Sequence, residues 1–327
     1  MSAPIPAFTL VRPTSVADAI AQHGRHPHSR FIGGGTDLLI NIRHGLETPD
    51  FLVDLSGIEE LTVITASDSG LRIGAGVTIA ALADNATVAS RYRAVARAAE
   101  AIAGPGHRVL GTVGGNLCLD TRCIFYNQSE WWRRANAFCL KRNGDICHVA
   151  PQGKRCHAAF TGDLAPALLA LGAEVEIAGA GGLRRMPLRD IYVEDGAAHL
   201  ALAAGELVLC VHLPPAPPPS AYAKIRVRDA IDYPLAGVAV ALRTRSGVVE
   251  TLSIAVTGTN SRPFVLDGTD AVIGRAIDER ALQDIDRLVQ RQLRPMRTTI
   301  ASANYRRLAA AGLARRLSAT LFAEQEK

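Results

Sequence analysis

Lysine is nearly missing from this chain: Lys141, Lys154, Lys224 and Lys327 stand among 36 basic residues, and the rest are arginines. Arginine's planar fork suits carboxylates and phosphates. The net charge of +5 therefore points to anionic cofactors or a protein partner. The arginines are scattered, with no zinc-finger, RRM or helix-turn-helix pattern, which argues against nucleic acid. No run of about 18 apolar residues occurs, so no membrane-spanning helix is expected. Residues 1–15 carry no long apolar stretch, so no signal peptide is expected and the cytoplasm is the expected location. Also lacking are a Ser/His/Asp array and a paired-carboxylate constellation, so substrate chemistry is expected on another chain. What is present fits a soluble globular protein: 327 residues, 48% hydrophobic and 20% charged, long enough for two domains.

The first two thirds alternate short helices and strands. Residues 14–23 read as a helix capped by Thr14 or Ser15. Residues 30–32, 51–55, 62–65, 71–75, 174–178 and 208–213 read as strands bounded by turn residues. The alanine-rich stretch 89–103 reads as one long helix, and 163–171 as a helix with Asp163 at its start. Six residues, Pro214-Pro215-Ala216-Pro217-Pro218-Pro219, are too stiff and donor-poor for a sheet interior and suit a linker. Beyond it, 221–228, 235–244 and 248–257 read as three antiparallel strands, the last two joined by a hairpin at Ser246-Gly247. Helices are expected at 269–276, 278–293 and 299–322. The class is α+β, with domains at 1–215 and 220–327.

Two glycine loops stand out. One is Arg30-Phe31-Ile32-Gly33-Gly34-Gly35-Thr36-Asp37, and the other is Gly111-Thr112-Val113-Gly114-Gly115-Asn116. Consecutive glycines let backbone N–H groups approach an anion with no Cβ in the way, and a helix starting near Asp37 would add the positive end of its dipole. Neither loop is a Walker A motif or G-x-G-x-x-G. Either alone reads more readily as a tight structural turn. Two in one domain favour a pyrophosphate cradle of another kind.

Four cysteines, Cys123, Cys139, Cys147 and Cys156, fall between Asn116 and Asp163. Clustered cysteines in a cytosolic chain rarely form disulfides. The close pairs usual for zinc are absent, whereas an iron–sulfur cluster tolerates irregular spacing. Spacing alone leaves iron–sulfur, zinc and free thiols open. Cys118 is an alternative ligand or a small buried side chain, Cys210 a core residue, and His148 and His157 hydrogen-bonding neighbours of the cysteines.

The two loops resemble the flavin-binding domain of vanillyl-alcohol-oxidase (PCMH) type flavoproteins. More closely, the chain resembles the medium subunits of the xanthine oxidase (molybdenum hydroxylase) family. Thr112-Val113-Gly114-Gly115-Asn116 and Gly162-Asp163-Leu164-Ala165-Pro166-Ala167-Leu168 carry the likeness most specifically. Gly74–Thr78, Tyr222-Ala223-Lys224 and the segment from Arg228 to Asp232-Tyr233 extend it over nearly the whole chain. The resemblance implies a two-subdomain FAD-binding domain followed by a three-stranded antiparallel sheet with a helical layer. It further implies that Arg30 to Asp37 and Gly111 to Asn116 wrap the FAD diphosphate. Thr78 and Ile102 would lie near the cofactor's middle or its ring, and Asp163 would accept hydrogen bonds from the ribityl chain or ribose. Val208 and Lys224 would meet the flavin ring. Without the resemblance, Asp163 reads as a helix cap and Lys224 as a surface lysine.

Residues 121–160 look inserted relative to most of that family. With Asn127-Gln128-Ser129-Glu130-Trp131-Trp132-Arg133 and the run from His148 to His157, the insertion resembles that of the 4-hydroxybenzoyl-CoA reductase β subunits. There the likeness implies a [4Fe–4S] cluster on Cys123, Cys139, Cys147 and Cys156. It also implies a molybdopterin-binding large subunit and a [2Fe–2S] small subunit as partners, in a dimer of heterotrimers. Electrons would arrive from ferredoxin and leave towards molybdenum, for reductive removal of a ring hydroxyl to give benzoyl-CoA. A flavin subunit serving NAD or a quinone, with a structural or zinc-binding insertion, is the alternative.

Overall fold

A computed structural model describes residues 5–296 and 301–326. Three sheets organise the chain. Strands β1 (Thr9–Val11), β2 (Ser29–Ile32) and β3 (Phe51–Asp54) form a small parallel sheet in the order β1-β3-β2. Strands β4 (Ile64–Ser67), β5 (Gly70–Gly74), β6 (Glu174–Gly179), β7 (Gly182–Pro187) and β8 (Leu207–Leu213) form an antiparallel sheet ordered β4-β5-β8-β6-β7. Strands β9 (Ser220–Ile225), β10 (Ala236–Arg245), β11 (Val248–Thr257) and β12 (Phe264–Val265) form the third, antiparallel and ordered β12-β11-β10-β9. The proline-rich segment 214–219 joins β8 to β9.

The third sheet is covered on both faces, and its sequence says which side is which. Along β10, Val238, Val240 and Leu242 pack with the helices Glu279–Gln292 and Ala303–Gln325, while Ala239 and Ala241 join the core of the first two thirds of the chain. Period-two alternation of branched and small residues thus puts bulk against helices and lets the other layer come close. At the β10–β11 hairpin, Ser246 and Gly247 both take positive φ (52° and 75°), as a two-residue turn matched to strand twist requires.

Several elements differ from the sequence reading, each for a local reason. The first helix is Val16–Arg25, and Ser15 Oγ is its cap, accepting from Asp18 N at 3.1 Å. The long helix expected at 89–103 is two, Ala86–Arg91 and Arg93–Ala101. They break at Tyr92, whose ring is fully buried and whose hydroxyl donates to Pro214 O at 2.7 Å. The helix expected at 269–276 shortens to a single turn, Thr269–Val272. Gly274 N donates to Val249 O, and Arg275 O accepts from Val249 N, so β11 takes the backbone groups a longer helix would need. The strand expected at 221–228 stops at Ile225, because the Asp232 carboxylate gathers the N–H groups of Val227 and Arg228, each at 2.9 Å. The third sheet has four strands where three were expected, the extra one being the two-residue β12. The final helix runs Ala303–Gln325, and the expected start at 299–300 lies outside the described residues.

Candidate functional site

The loop after β2 and the loop before the short helix Val113–Leu117 lie against one another. A Cβ on Gly34 would fall 1.7 Å from Leu110 O, and one on Gly33 would fall 2.9 Å from Thr112 Oγ1. Only glycine permits backbone approach this close. Gly33, Gly34 and Thr36 make no hydrogen bond to the rest of the chain among the described residues, so their N–H groups are free for a ligand. Thr112 Oγ1 accepts from Gly115 N at 3.1 Å and caps the Val113–Leu117 helix.

These loops form one wall of a cleft of about 670 Å³. Arg30, Phe31, Ile32, Gly33, Gly34, Gly35, Thr36, Asp37, Ile102, Gly111, Thr112, Gly115, Asn116 and Asp163 all line it. Five of the expected residues do not. Thr78 caps the Ile79–Ala83 helix by accepting from Ala81 N at 3.1 Å. Val113 and Val208 belong to the buried core. Gly114 is pressed on Ala75, where a Cβ would come within 2.9 Å. Lys224 lies beneath the cleft, its side chain only 3% exposed, as partner of Asp163.

Asp163 corrects a second expectation. It precedes the helix Leu164–Ala170 but makes no capping bond. Asn116 Oδ1 receives Leu164 N instead, at 3.1 Å. The Asp163 carboxylate accepts from Tyr222 Oη at 2.5 Å and from Lys224 Nζ at 3.0 Å, which ties the strand β9 to the cleft. Burial pushes the Asp163 carboxyl up, and the Lys224 ammonium opposes that. Lys224 Nζ also donates to Asp232 O at 3.1 Å. Neither the exposed lysine nor the helix cap that the bare sequence allowed is realised.

The cleft also draws on residues the sequence did not single out. Thr161, His199, Tyr126, Lys141, Arg142 and Ile231 line it. Thr161 is 5% exposed and its hydroxyl has no partner, a polar atom left for a ligand. Thr161 stands two residues before Asp163, so proximity to the Gly162-Asp163 signature was the only clue. Nothing local marks His199. It is buried, its Nε2 lies 3.0 Å from Leu119 O, and burial holds its pKa down at about 4.

The segment 121–160, expected as an insertion, is closed at its neck, where Arg122 N donates to Ala159 O and Ala159 N to Arg122 O, each at 2.8 Å. Arg122 also ion-pairs with Asp37 and stacks on Tyr233, its guanidinium 5.0 Å from the ring centroid. Arg133, buried to 1% exposure, donates to Gln128 O and to the carbonyls of His44 (3.2 Å) and Gly45 (3.3 Å). Lys141 donates to Asp120 Oδ1 at 2.6 Å and lies 4.2 Å from the Tyr126 ring centroid.

None of the four cysteines of this segment is in a disulfide; Cys139, Cys147 and Cys156 are buried and Cys123 is half-buried. Burial pushes the Cys123 thiol up to about 11, and the proximity of Cys139 and Cys147 adds to it. Burial likewise raises Cys156 to about 11, with Cys147 and Cys123 contributing. The four thus form one electrostatic neighbourhood. Among the described residues, no three of their sulfurs lie mutually within 4.8 Å. A single zinc with bonds of about 2.3 Å would hold its sulfurs roughly 3.8 Å apart. Each thiolate of a four-iron cube binds a different iron, and that demands a wider set. Cys156 Sγ accepts from Ala158 N at 3.4 Å, and the His148 ring bonds Phe138 O. Cys118 lines the cleft, and burial raises its thiol to about 12. Cys210 is buried as expected, but its sulfur meets Glu176 and His212.

Residues 6–216 match the model of the FAD binding domain in molybdopterin dehydrogenase, and residues 220–321 that of the CO dehydrogenase flavoprotein C-terminal domain. The chain therefore belongs to the FAD-binding medium subunits of the molybdenum hydroxylase family, and is an oxidoreductase subunit of that class. Among its relatives, the aldehyde oxidoreductase FAD-binding subunit PaoB of Escherichia coli (strain K12) is 33% identical over 82% of this chain and 86% of its own length. The carbon monoxide dehydrogenase medium chain of Afipia carboxidovorans is 29% identical over 95% of both chains. The solved Cu,Mo-CO dehydrogenase in its cyanide-inactivated form superimposes with a TM-score of 0.81 at 27% identity, covering 98% of this chain and 99% of that one. The α+β architecture is the one expected. No helix among the described residues is long and apolar enough to cross a membrane.

Proposed function

We propose that this chain is the electron-carrying subunit of a complex of the 4-hydroxybenzoyl-CoA reductase type, with FAD in the cleft and a [4Fe–4S] cluster on Cys123, Cys139, Cys147 and Cys156. The observation that carries this reading is the sharing of one wall. The insertion that groups the four cysteines also contributes Tyr126, Lys141 and Arg142 to the cleft lined by the glycine loops. The domains would be 1–215 for FAD, with 121–160 for the cluster, and 220–327.

The free N–H groups of Gly33, Gly34 and Thr36 suit diphosphate oxygens. Arg30, Phe31, Ile32, Gly35, Asp37, Gly111, Gly115 and Asn116 shape that wall, and Ile102 and Thr161 line it farther along. Thr78, Val113, Gly114, Val208 and Lys224 act from beneath, by capping, packing and holding Asp163. Bound FAD exchanges electrons in pairs or singly and a four-iron cluster singly, so together they match a one-electron donor, ferredoxin, to two-electron chemistry at molybdenum. That chemistry would sit on a large subunit, reached through a [2Fe–2S] small subunit, in a cytoplasmic dimer of heterotrimers.

Anaerobic reconstitution tests the reading. The chain should hold FAD and about four irons, and Cys139→Ser should lose the iron while keeping the flavin. Full flavin occupancy without iron would reject the cluster. Similarity to carbon monoxide dehydrogenase and aldehyde oxidoreductase subunits supports a second reading, a flavin subunit of another molybdenum hydroxylase; electrons would then pass to NAD or a quinone, and the insertion would be structural or zinc-binding. Metal analysis separates the two.

A further inference from the structure

A second group of ligand-type side chains lies away from both the cleft and the insertion. Cys210 and His212 are two residues apart on β8 and so share a face of the five-stranded sheet. Glu176 pairs with Cys210 across β6, next to the bulge between Glu176 and Ile177. Cys210 Sγ is 3.5 Å from Glu176 Oε2 and 3.2 Å from His212 Nε2, and that nitrogen is 3.0 Å from Glu176 Oε2. Among the described residues these form the one set of three such ligand atoms mutually within 4.8 Å.

A tetrahedral ion with nitrogen and oxygen ligands at about 2.0–2.2 Å and sulfur at about 2.3 Å holds neighbouring donors roughly 3.2–3.8 Å apart. Two of the three separations, 3.5 and 3.2 Å, match that range, and the third, 3.0 Å, falls just below it. Thiolate, imidazole and carboxylate together form the donor mix of a borderline divalent cation, not of calcium or magnesium. Cys210 packs with Val16 and Ala19 and is fully buried. The side chains of His212 and Glu176 stay 19% and 23% exposed, so the group opens to solvent on one side. Arg72, paired with His212 from β5, is the cation beside the group, and its side chain hydrogen-bonds the Cys210 sulfur.

We propose that Glu176, Cys210 and His212 form a zinc-class cation site, with its fourth position open, that clips β6 to β8. It depends on neither the flavin nor the cluster.

Zinc titration of the reconstituted chain, followed by calorimetry and zinc-edge absorption, tests this. One zinc per chain is expected, with one sulfur among nitrogen and oxygen neighbours. His212→Ala and Glu176→Gln should each weaken binding by about 100-fold or more, with flavin and iron contents unchanged. No binding, a sulfur-rich shell (which would place the zinc on the insertion), or equal binding by wild type and both variants would overturn the site. Should a variant fail to fold, the wild-type zinc-edge spectrum alone decides.

Discussion

Substituting Gly34 by alanine puts the contact between the two glycine loops to the test. The new Cβ would fall 1.7 Å from Leu110 O, whereas ordinary contact begins near 3.4 Å, so the loops must part by about 1.7 Å. The obstacle is backbone, which cannot rotate away as a side-chain tip can. Gly34 is not among the glycines with positive φ, so the cost is steric rather than conformational. Overpacking of this kind costs roughly 1–3 kcal/mol. At about 1.4 kcal/mol per decade, flavin affinity should fall roughly 10- to 100-fold if that strain is relieved by displacing the cradle. Gly106→Ala is the control: it lies in the nearby helix Pro105–Arg108, and its added Cβ meets nothing within 4 Å. Fluorescence titration of deflavinated protein, with thermal melts of each variant, gives both quantities. Wild-type flavin affinity and an unchanged melting temperature in Gly34→Ala would refute the contact.

Three further outcomes are expected. Lys224→Met leaves the buried Asp163 carboxylate without its cation and should cost about 3–5 kcal/mol in denaturant unfolding, much of it recovered in Asp163→Asn/Lys224→Met. His199 should make the fold acid-sensitive. Above pH 6.5 the ring is neutral in both states, but below it the unfolded chain takes up a proton that the folded chain refuses until about pH 4. Stability should fall over that window by on the order of 3 kcal/mol, and His199→Gln should flatten the profile; a slope unchanged in the variant refutes it. Tyr92→Phe, which loses the hydroxyl bond to Pro214 O, should cost about 1 kcal/mol by thermal melt, against no change if that bond is idle.

Legibility in the sequence followed the range of the interactions involved. Glycine loops, the Ser15 cap, the Ser246-Gly247 hairpin and the strand at 235–244 are local patterns, and each appears in the structure. The elements that differed obey distant partners. Tyr92 breaks an alanine-rich helix because its hydroxyl serves a carbonyl 122 residues away. Asp163 abandons capping because Tyr222 and Lys224 claim both oxygens from another strand. Val208 alternates towards the core, a choice set by the bulge opposite it between Glu176 and Ile177. The lining of the cleft by His199 and Lys141 arises where separate segments meet, and no window of neighbouring residues records it.

The paired peptide groups of Arg122 and Ala159 mean that the chain leaves the scaffold and rejoins it at one spot. Such a junction makes the intervening stretch a side loop, further tied to the scaffold by Arg133 at the His44 and Gly45 carbonyls. Excising it and bridging the two ends with a tight turn should leave the surrounding sheets in register, because none of their strands lies between Arg122 and Ala159.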